Sequence, residues 1–456
     1  MEKVEFYRVV EKLILPLFTG SYIDGEENST SRDSEVAYGK KNSILLIKPS
    51  KLDEYRLILK RGQPFQMFEI NLLKSILDEI IKISELEIED ESYIAVLQEN
   101  AIERSMCQSI CEEDTIPIMF GIINEIEKWA ARTYEGNKVE IGIIINTSVD
   151  ISEKEDAIRY DEIMSRDFFA LLSDGKDSYI EFDKKGYLLG YVETSKVKRE
   201  TSIAPFEFEM AAKCCNERKI GIALTKSGDL LIFKNRKLLF AKRSGSWNIY
   251  SHEEVIQLLS YRGNYSLKDV RRSIYYTALD TSFAYEGGCI VYLNKEDTER
   301  ALNHINAHDI IDEKYFEIKK RQMLDEAGKL YNFVNLSSVE ATYNVPFWRF
   351  LQEQKCTKSI ALRKMIDGKP FHELSRKLRL ELVGMDGATV IDSDGYIIAA
   401  GAILKIEAGS EGGGRLAAAT TLSKYGIAIK ISQDGVMKAF CPDKKSGKCK
   451  ILFTVG

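Results

Sequence analysis

Residues 385–435 read MDGATVIDSDGYIIAAGAILKIEAGSEGGGRLAAATTLSKYGIAIKISQDG, and this stretch carries most of the information about the fold and chemistry of the chain. An Asp-Gly-Ala turn that begins at Asp386 opens a β-hairpin pattern. A glycine-rich loop at residues 409–414 then leads into a helix that begins at Arg415. The helix should end at Gly426, which we expect to act as its C-cap. Strand and helix patterns in this order predict an α+β domain.

The carboxylate of Asp386 is a candidate metal ligand because it lies just before a predicted strand, whose edge can face a cleft. Divalent cations such as Mg²⁺ or Mn²⁺ prefer oxygen ligands, and a carboxylate can also help to deprotonate a ribose hydroxyl. Gly387 would let a ligand approach the backbone closely. Asp-Gly is also common in turns, so the alternative is that Asp386 only shapes the turn into Ala388.

The glycine-rich loop predicts a phosphate-binding site. Consecutive glycines let backbone amides point at an anion, and the helix that follows adds its dipole and free N–H groups. Arg415 lies at the start of this helix and can bind a phosphate through two parallel hydrogen bonds. The alternatives are a merely flexible loop and, for Glu411, a solvated charge in place of a further metal ligand. The candidate nucleotide-binding residues are Asp386, Gly387, Ala388, Ser410, Glu411, Gly412, Gly413, Gly414 and Arg415.

Composition predicts a globular protein of two or three domains. The chain has 456 residues, of which 44% are hydrophobic and 29% are charged. A buried-strand pattern begins at Val139, and the residues before it show mainly helical spacing. We therefore divide the chain into a helical or mixed region at 1–138, a β-rich accessory block at 139–260 and a nucleotide-binding domain at 267–456. The expected fold class is α+β.

Charge and cysteine usage exclude several classes of function. The net charge is −6, so no general basic field exists to hold a nucleic acid duplex. No apolar run approaches the roughly 18 residues that a membrane span needs. Eight cysteines occur without zinc-finger spacing. Cys107 and Cys111 lie one helical turn apart and could bind metal, but we expect buried thiols in a reducing, cytoplasmic setting.

Four local patterns give further structural predictions. The polar residues 19–42 indicate a surface loop, and residues 219–250 indicate three antiparallel strands. Residues 266–288 predict a helix that Ser266 caps and that Gly287-Gly288 ends. Residues 371–382 predict one amphipathic helix, whose basic residues we place on a solvated face, with a phosphate-binding patch as the alternative. These basic residues are Arg376, Lys377, Arg379 and His372.

The motifs resemble those of the diadenylate cyclase (DAC) domain family. The similarity runs through DGATVIDSDGYIIAAGAIL and continues through the glycine-rich loop, the helix and the KISQ strand, so that it covers about residues 267–456. In that family the Asp-Gly-Ala aspartate binds metal and assists attack by the ribose 3′ hydroxyl. A Gly-Ser/Thr-Arg-His-Arg loop binds the ATP phosphates, and two ATP-loaded domains meet face to face to make cyclic di-AMP. The resemblance implies a mixed β-sheet flanked by helices.

Carried over residue by residue, the resemblance assigns Asp386, Gly387 and Ala388 to the first motif. Arg415 matches the second arginine of the phosphate loop. Gly413 and Gly414 replace the first arginine and the histidine, which removes one permanent charge and one donor from the triphosphate site.

Two functions follow from the resemblance, and a vestigial scaffold is a third possibility. The phrase KLRLELVGMDGATVID…SEGGGRLAAA is also similar to a divergent group of DAC-like domains proposed to be nucleotide sensors. The first expectation is a homo-oligomeric sensor that binds an adenine nucleotide or a cyclic dinucleotide. The second is an active, divergent diadenylate cyclase that makes cyclic di-AMP from ATP with Mg²⁺ or Mn²⁺ held by Asp386.

Overall fold

The computed structural model is an α+β fold in two compact units. The first unit comprises Met1–His252 and Val455–Gly456, and the second comprises Glu253–Thr454. The sequence segments 1–138 and 139–252 therefore fall in the same unit. The residues that the structure describes are 3–27, 36–38, 44–47, 56–86, 88, 90–196, 201–260, 268–331, 357–404, 413–443 and 448–456.

A four-stranded antiparallel sheet lies in the first unit, in the order β1-β4-β3-β2. Its strands are β1 (Tyr22–Glu27), β2 (Val36–Tyr38), β3 (Ile44–Ile47) and β4 (Arg56–Lys60). The prediction of a loop over residues 19–42 is thus wrong for β1 and β2. β1 is an edge strand, where polar residues are tolerated, so its sequence lacks an apolar strand pattern. β2 has only three residues, which are too few to show a strand pattern.

A seven-stranded mixed sheet forms the β-rich block, in the order β13-β12-β11-β10-β7-β8-β9. Only the β7–β8 pair is parallel, and a separate two-stranded hairpin joins β5 to β6. The strands are β5 (Thr133–Tyr134), β6 (Asn137–Lys138), β7 (Ile141–Asn146), β8 (Ser178–Asp183), β9 (Leu188–Glu193), β10 (Lys219–Leu224), β11 (Leu230–Lys234), β12 (Lys237–Arg243) and β13 (Ser246–Ile249).

Residues 219–250 form four strands and not the predicted three. The additional strand, β13, follows a tight turn in which Ser244 and Gly245 have φ values of 50° and 81°. Two successive positive φ values match the right-handed twist of a hairpin. The Ser-Gly dipeptide is the signal for this turn in the sequence.

Helices supply many of the buried core residues of the first unit. A π-helical turn, Val10–Ile14, links the first two helices. The helices are α1 (Lys3–Val9), α2 (Leu15–Leu17), α3 (Met67–Ser84), α4 (Glu91–Ile110), α5 (Ile116–Ala130), α6 (Tyr160–Ile163) and α7 (Glu209–Cys214). Short 3₁₀ turns lie at Asp167–Leu171, Thr194–Lys196 and Phe206–Phe208. The amphipathic patterns over 65–83 and 116–129 correctly predicted α3 and α5, whose apolar faces are buried.

Cys107 and Cys111 are thiols in α4 and at its end. Cys107 is buried and Cys111 is half-buried, with its Sγ donating to the Cys107 carbonyl oxygen over 3.0 Å. Burial raises the pKa of the Cys111 thiol to about 12. A metal needs the thiolate form, which this environment disfavours. The prediction of a buried thiol is confirmed for Cys107, whereas Cys111 is only half-buried.

A six-stranded mixed sheet organises the second unit, in the order β16-β15-β14-β17-β18-β19. The central strand β14 is parallel to β15 and antiparallel to β17. The strands are β14 (Gly288–Leu293), β15 (Ala388–Ile391), β16 (Ile397–Ala402), β17 (Gly426–Ile431), β18 (Met437–Pro442) and β19 (Cys449–Val455). The first four are almost wholly buried, as expected for strands covered on both faces.

Helices of varied length surround this sheet. They are α8 (His252–Leu258), α9 (Lys268–Phe283), α10 (Thr298–Ala301), α11 (Glu313–Tyr331), α12 (Thr357–Ile366), α13 (Arg376–Gly384) and α14 (Gly414–Leu422). Short 3₁₀ turns lie at Lys295–Asp297, Leu302–His304, Ala307–Asp309, Phe371–Glu373 and Ser423–Tyr425. Among the helices of the described part of the chain, none is both long enough and apolar enough to cross a membrane.

Two predicted helix ends differ in the structure. Helix α9 ends at Phe283, because Tyr285 turns to a φ of 56° before Gly287-Gly288 is reached. The predicted cap, Ser266, lies outside the described residues. Gly426 does not adopt the left-handed conformation of a C-cap, because its φ is 172°. A Cβ at this position would overlap the Tyr292 carbonyl oxygen, so Gly426 lets two strands approach.

The basic segment at residues 371–382 is two elements and not one helix. A 3₁₀ turn covers Phe371–Glu373, and α13 starts after Ser375, whose Oγ accepts a hydrogen bond from the Leu378 amide. Arg379 is buried and donates to three backbone carbonyl oxygens, at distances of 3.2–3.5 Å. Arg376 forms an ion pair with Asp280. For these two arginines, the prediction of a solvated face is wrong.

Candidate functional site

A cavity of about 460 Å³ opens at one end of the six-stranded sheet. Helix α14 packs on β14 and β17 through small apolar side chains, and its first turn lies at the cavity. The turn before β15 and the ends of β16 and β17 complete the lining. Asp386, Gly387, Gly413, Gly414 and Arg415, all predicted from the sequence, line this one cavity.

The Asp386 turn has a conformation that requires glycine. Gly387 has a φ of 105°, and a Cβ at this position would lie 2.6 Å from the Ala402 carbonyl oxygen. The turn can therefore close against the end of β16 only without a side chain. Asp386 is exposed and lines the cavity, whereas Ala388 is fully buried in β15 and is not part of the lining.

The two described glycines of the loop leave open space in front of α14. Gly413 has a φ of 81°, and its carbonyl oxygen accepts the Ala417 amide over 3.1 Å at the start of the helix. No atom of the described chain lies within 4 Å of an ideal Cβ at Gly413 or Gly414. The first amides of a helix have no partner within the helix, and helix N-termini are common anion-binding positions. Ser410, Glu411 and Gly412 lie outside the described residues.

Arg415 is half-buried beside the start of β14. A Cβ at Gly287 would overlap the Arg415 guanidinium, which shows that the guanidinium lies directly over this glycine. The Arg415 Nε atom is buried and has no hydrogen-bond partner among the described groups. Burial raises the pKa of the Cys289 thiol to about 12, and the Arg415 charge opposes this rise. A buried guanidinium donor without a partner is a costly arrangement that an anionic ligand would relieve.

Lys430 is a cavity residue that the sequence analysis missed. It lies on β17, pairs in register with Cys289 on β14 and is half-buried. Its sequence, GIAIKI, contains one charge in an otherwise buried strand, and that pattern was the available signal. The described lining residues therefore include two cations, Arg415 and Lys430, and one carboxylate, Asp386.

An ion-pair brace holds the apolar wall of the cavity, residues 402–404. Asp309 accepts the Ile403 amide over 3.2 Å and pairs with Lys358 Nζ over 2.9 Å. Lys358 Nζ also donates to the Gly401 carbonyl oxygen over 2.6 Å. The brace leaves the Ile403 side chain 63% exposed, which gives the cavity an apolar surface beside its charges. Mixed lining of this kind suits a ligand with a flat apolar part and a charged part.

Asp386 is the carboxylate in the described lining that could hold a metal ion. Within the described ranges, no three His, Cys, Asp or Glu side chains are grouped to hold a metal ion. Magnesium in phosphate sites is commonly held by one or two carboxylates together with ligand phosphates, so a single carboxylate at the cavity is compatible with this mode.

The chain is thus an α+β protein whose second unit holds a cavity lined by glycines, two cations and one carboxylate. In comparisons with known proteins, the chain matched no protein-family model, no curated protein and no solved structure. Its function must therefore be argued from the site.

Proposed function

We propose that the cavity binds an adenine nucleotide or a cyclic dinucleotide through its phosphates and that the protein is a nucleotide sensor. The observation that carries this proposal is the buried Arg415 Nε atom, which lies beside the first turn of α14 and has no hydrogen-bond partner in the described part of the chain. A guanidinium and free helix amides together form a phosphate site. The exposed Ile403 side chain supports stacking of a base at the same cavity. The adenine preference rests on the resemblance to diadenylate cyclase domains.

The loss of Arg415 should weaken nucleotide binding. We expect Arg415→Ala to lower ATP affinity by about tenfold to a hundredfold, the effect of removing a charged hydrogen-bond donor. Arg415→Lys should recover little of this affinity, because lysine lacks the planar fork. Isothermal titration calorimetry measures the affinities, and Arg321→Ala, at an exposed position on α11, is the matched control. Equal ATP affinity in Arg415→Ala and wild type would remove the basis of the proposal.

An active diadenylate cyclase is the second candidate, and the exposed carboxylate of Asp386 at the cavity favours it. Asp386 would hold Mg²⁺ or Mn²⁺ together with the ligand phosphates. A bound metal would supply charge stabilisation for the phosphoryl transfer. The replacement of Arg-His by Gly413-Gly414 argues for the sensor, because a cyclase needs positive charge where the triphosphate reacts.

Asp386→Asn distinguishes the two candidates. For a sensor, we expect no cyclic product from wild type with ATP and Mn²⁺, and about 1–3 kcal/mol weaker binding in the variant, the range for one charged hydrogen bond. For a cyclase, wild type makes cyclic di-AMP and the variant makes none. Chromatography of the reaction gives the product, and calorimetry gives the affinity. Product formation by wild type that Asp386→Asn eliminates would replace the sensor with the enzyme.

A further inference from the structure

Lys430 carries an uncompensated charge at an unusual place. All the remaining residues of its strand, β17, are buried, and Lys430 lines the cavity. No described carboxylate forms an ion pair with it. A lysine in a buried strand can extend its charged end toward water. Here the water-filled space that its side chain lines is the candidate ligand cavity.

The strand register places a second lysine directly opposite the first. Lys430 on β17 pairs with Lys438 on β18, and residues paired in this way project from the same face of the sheet. Like charges at directly opposed positions are destabilising. Lys438 is exposed and also lacks an ion-pair partner among the described side chains. The chain therefore maintains two lysines where sheet stability alone favours a neutral or opposite-charge pair.

Lys430 and Arg415 flank the same residue of β14. Cys289 is the register partner of Lys430, and the charge of Arg415 acts on the Cys289 thiol. Register partners in an antiparallel pair have Cα atoms about 4.5–5.5 Å apart. The two cations therefore approach the cavity from adjacent positions, one from the sheet and one from the helix.

We propose that Lys430 and Arg415 bind neighbouring phosphate groups, so that the cavity selects ligands with two or more phosphates over monophosphates. The inference rests on the proposed nucleotide-binding function. It gives Lys430, on β17, the role of a second cation beside the loop in which Gly413 and Gly414 carry no charge. A linear nucleoside triphosphate and a cyclic dinucleotide both carry at least two phosphates, which are contiguous in the first and separated by sugars in the second. Their affinities in the same variant show which of them Lys430 contacts.

The test compares wild type with Lys430→Met, which keeps the length of the side chain and removes its charge. Calorimetric titrations with AMP, ATP, cyclic di-AMP and inorganic triphosphate are the probes. We expect Lys430→Met to lower ATP or cyclic di-AMP affinity by about tenfold or more and AMP affinity by less than about twofold. Lys430→Arg should restore the preference. Lys424→Met, at an exposed position beyond the far end of α14, should leave all affinities unchanged.

The outcomes separate this inference from the proposed function. If wild type binds AMP as tightly as ATP and cyclic di-AMP, or if Lys430→Met weakens all ligands equally or not at all, the inference is wrong, although nucleotide binding stands. If no nucleotide binds but inorganic triphosphate binds in a Lys430-dependent way, the cation pair is supported and the nucleotide function fails. If none of the four probes binds to folded wild type, both proposals are overturned.

Discussion

Arg376→Ala should destabilise the second unit by roughly 3–5 kcal/mol, the range for breaking a buried ion pair by removing one partner. The Arg376 Nε and Nη2 atoms donate to the two carboxylate oxygens of Asp280, each over 2.7 Å. The Asp280 side chain is only 1% exposed, so the variant would leave a carboxylate buried without its bidentate partner. The guanidinium also lies 5.2 Å from the Tyr276 ring, and this contact would be lost as well.

Urea unfolding followed by hydrogen exchange measures this effect, because exchange in α9 reports on the unit that contains Asp280. Lys377→Ala is the matched control: it removes a neighbouring basic side chain that is exposed, and it should change stability by less than about 0.5 kcal/mol. In the double variant Asp280→Ala/Arg376→Ala, the destabilisation should be smaller than the sum of the two single effects. A loss of stability in Arg376→Ala no larger than in Lys377→Ala would show that the ion pair is not structural.

Local sequence patterns predicted the parts of the fold that depend on local physics. Helical spacing of apolar residues located α3 and α5, and the apolar run CIVYL located β14, because burial of one face or both faces leaves a direct trace in the sequence. The α+β class followed from these elements, and the structure confirms it.

Those patterns do not show which residues distant in sequence pair with each other in the fold. Asp280 precedes Arg376 by 96 residues in sequence, so nothing near Arg376 indicated that its charge was buried and paired. Because a basic helical face is usually solvated, the local sequence predicts an exposed Arg376. Strand β1 was missed for a related reason, since it forms by pairing with β4 and not by its own apolar pattern.

For the candidate site, the sequence identified the residues with special backbone roles. Gly387 and Gly413 both have positive φ, and Arg415 lies in the same cavity as Asp386. Whether these residues bind a ligand stays a prediction. Lys430 was not identified, because the lone charge in its apolar strand does not show by itself that the strand ends beside this cavity. The Asp309–Lys358 brace likewise joins residues 49 positions apart.

Gly413→Val should reduce nucleotide affinity by more than about a hundredfold, beyond the loss from any one side-chain contact at the site. Gly413 has a φ of 81° and a ψ of 167°, a region essentially restricted to glycine. A β-branched residue would force the backbone out of this conformation. The amide groups just before α14 and in its first turn would then point in different directions. Several phosphate contacts would then be lost together. No atom of the described residues lies within 4 Å of a Cβ at Gly413, so we expect the change to act through the backbone and not through a clash with them.

Gly245→Val separates loop geometry from general backbone strain. Gly245 lies in the turn between β12 and β13, has the same φ of 81° and also has no atom within 4 Å of an ideal Cβ. Valine should strain the backbone at both positions, by about 1–3 kcal/mol, because a φ near 80° is unfavourable for a residue with a side chain. Only the Gly413 variant should lose affinity in calorimetric titration with ATP or cyclic di-AMP, because only its strain lies at the cavity. If Gly413→Val melts like Gly245→Val and still binds these ligands as wild type does, then the glycine-rich loop is a connector and the phosphate site lies elsewhere.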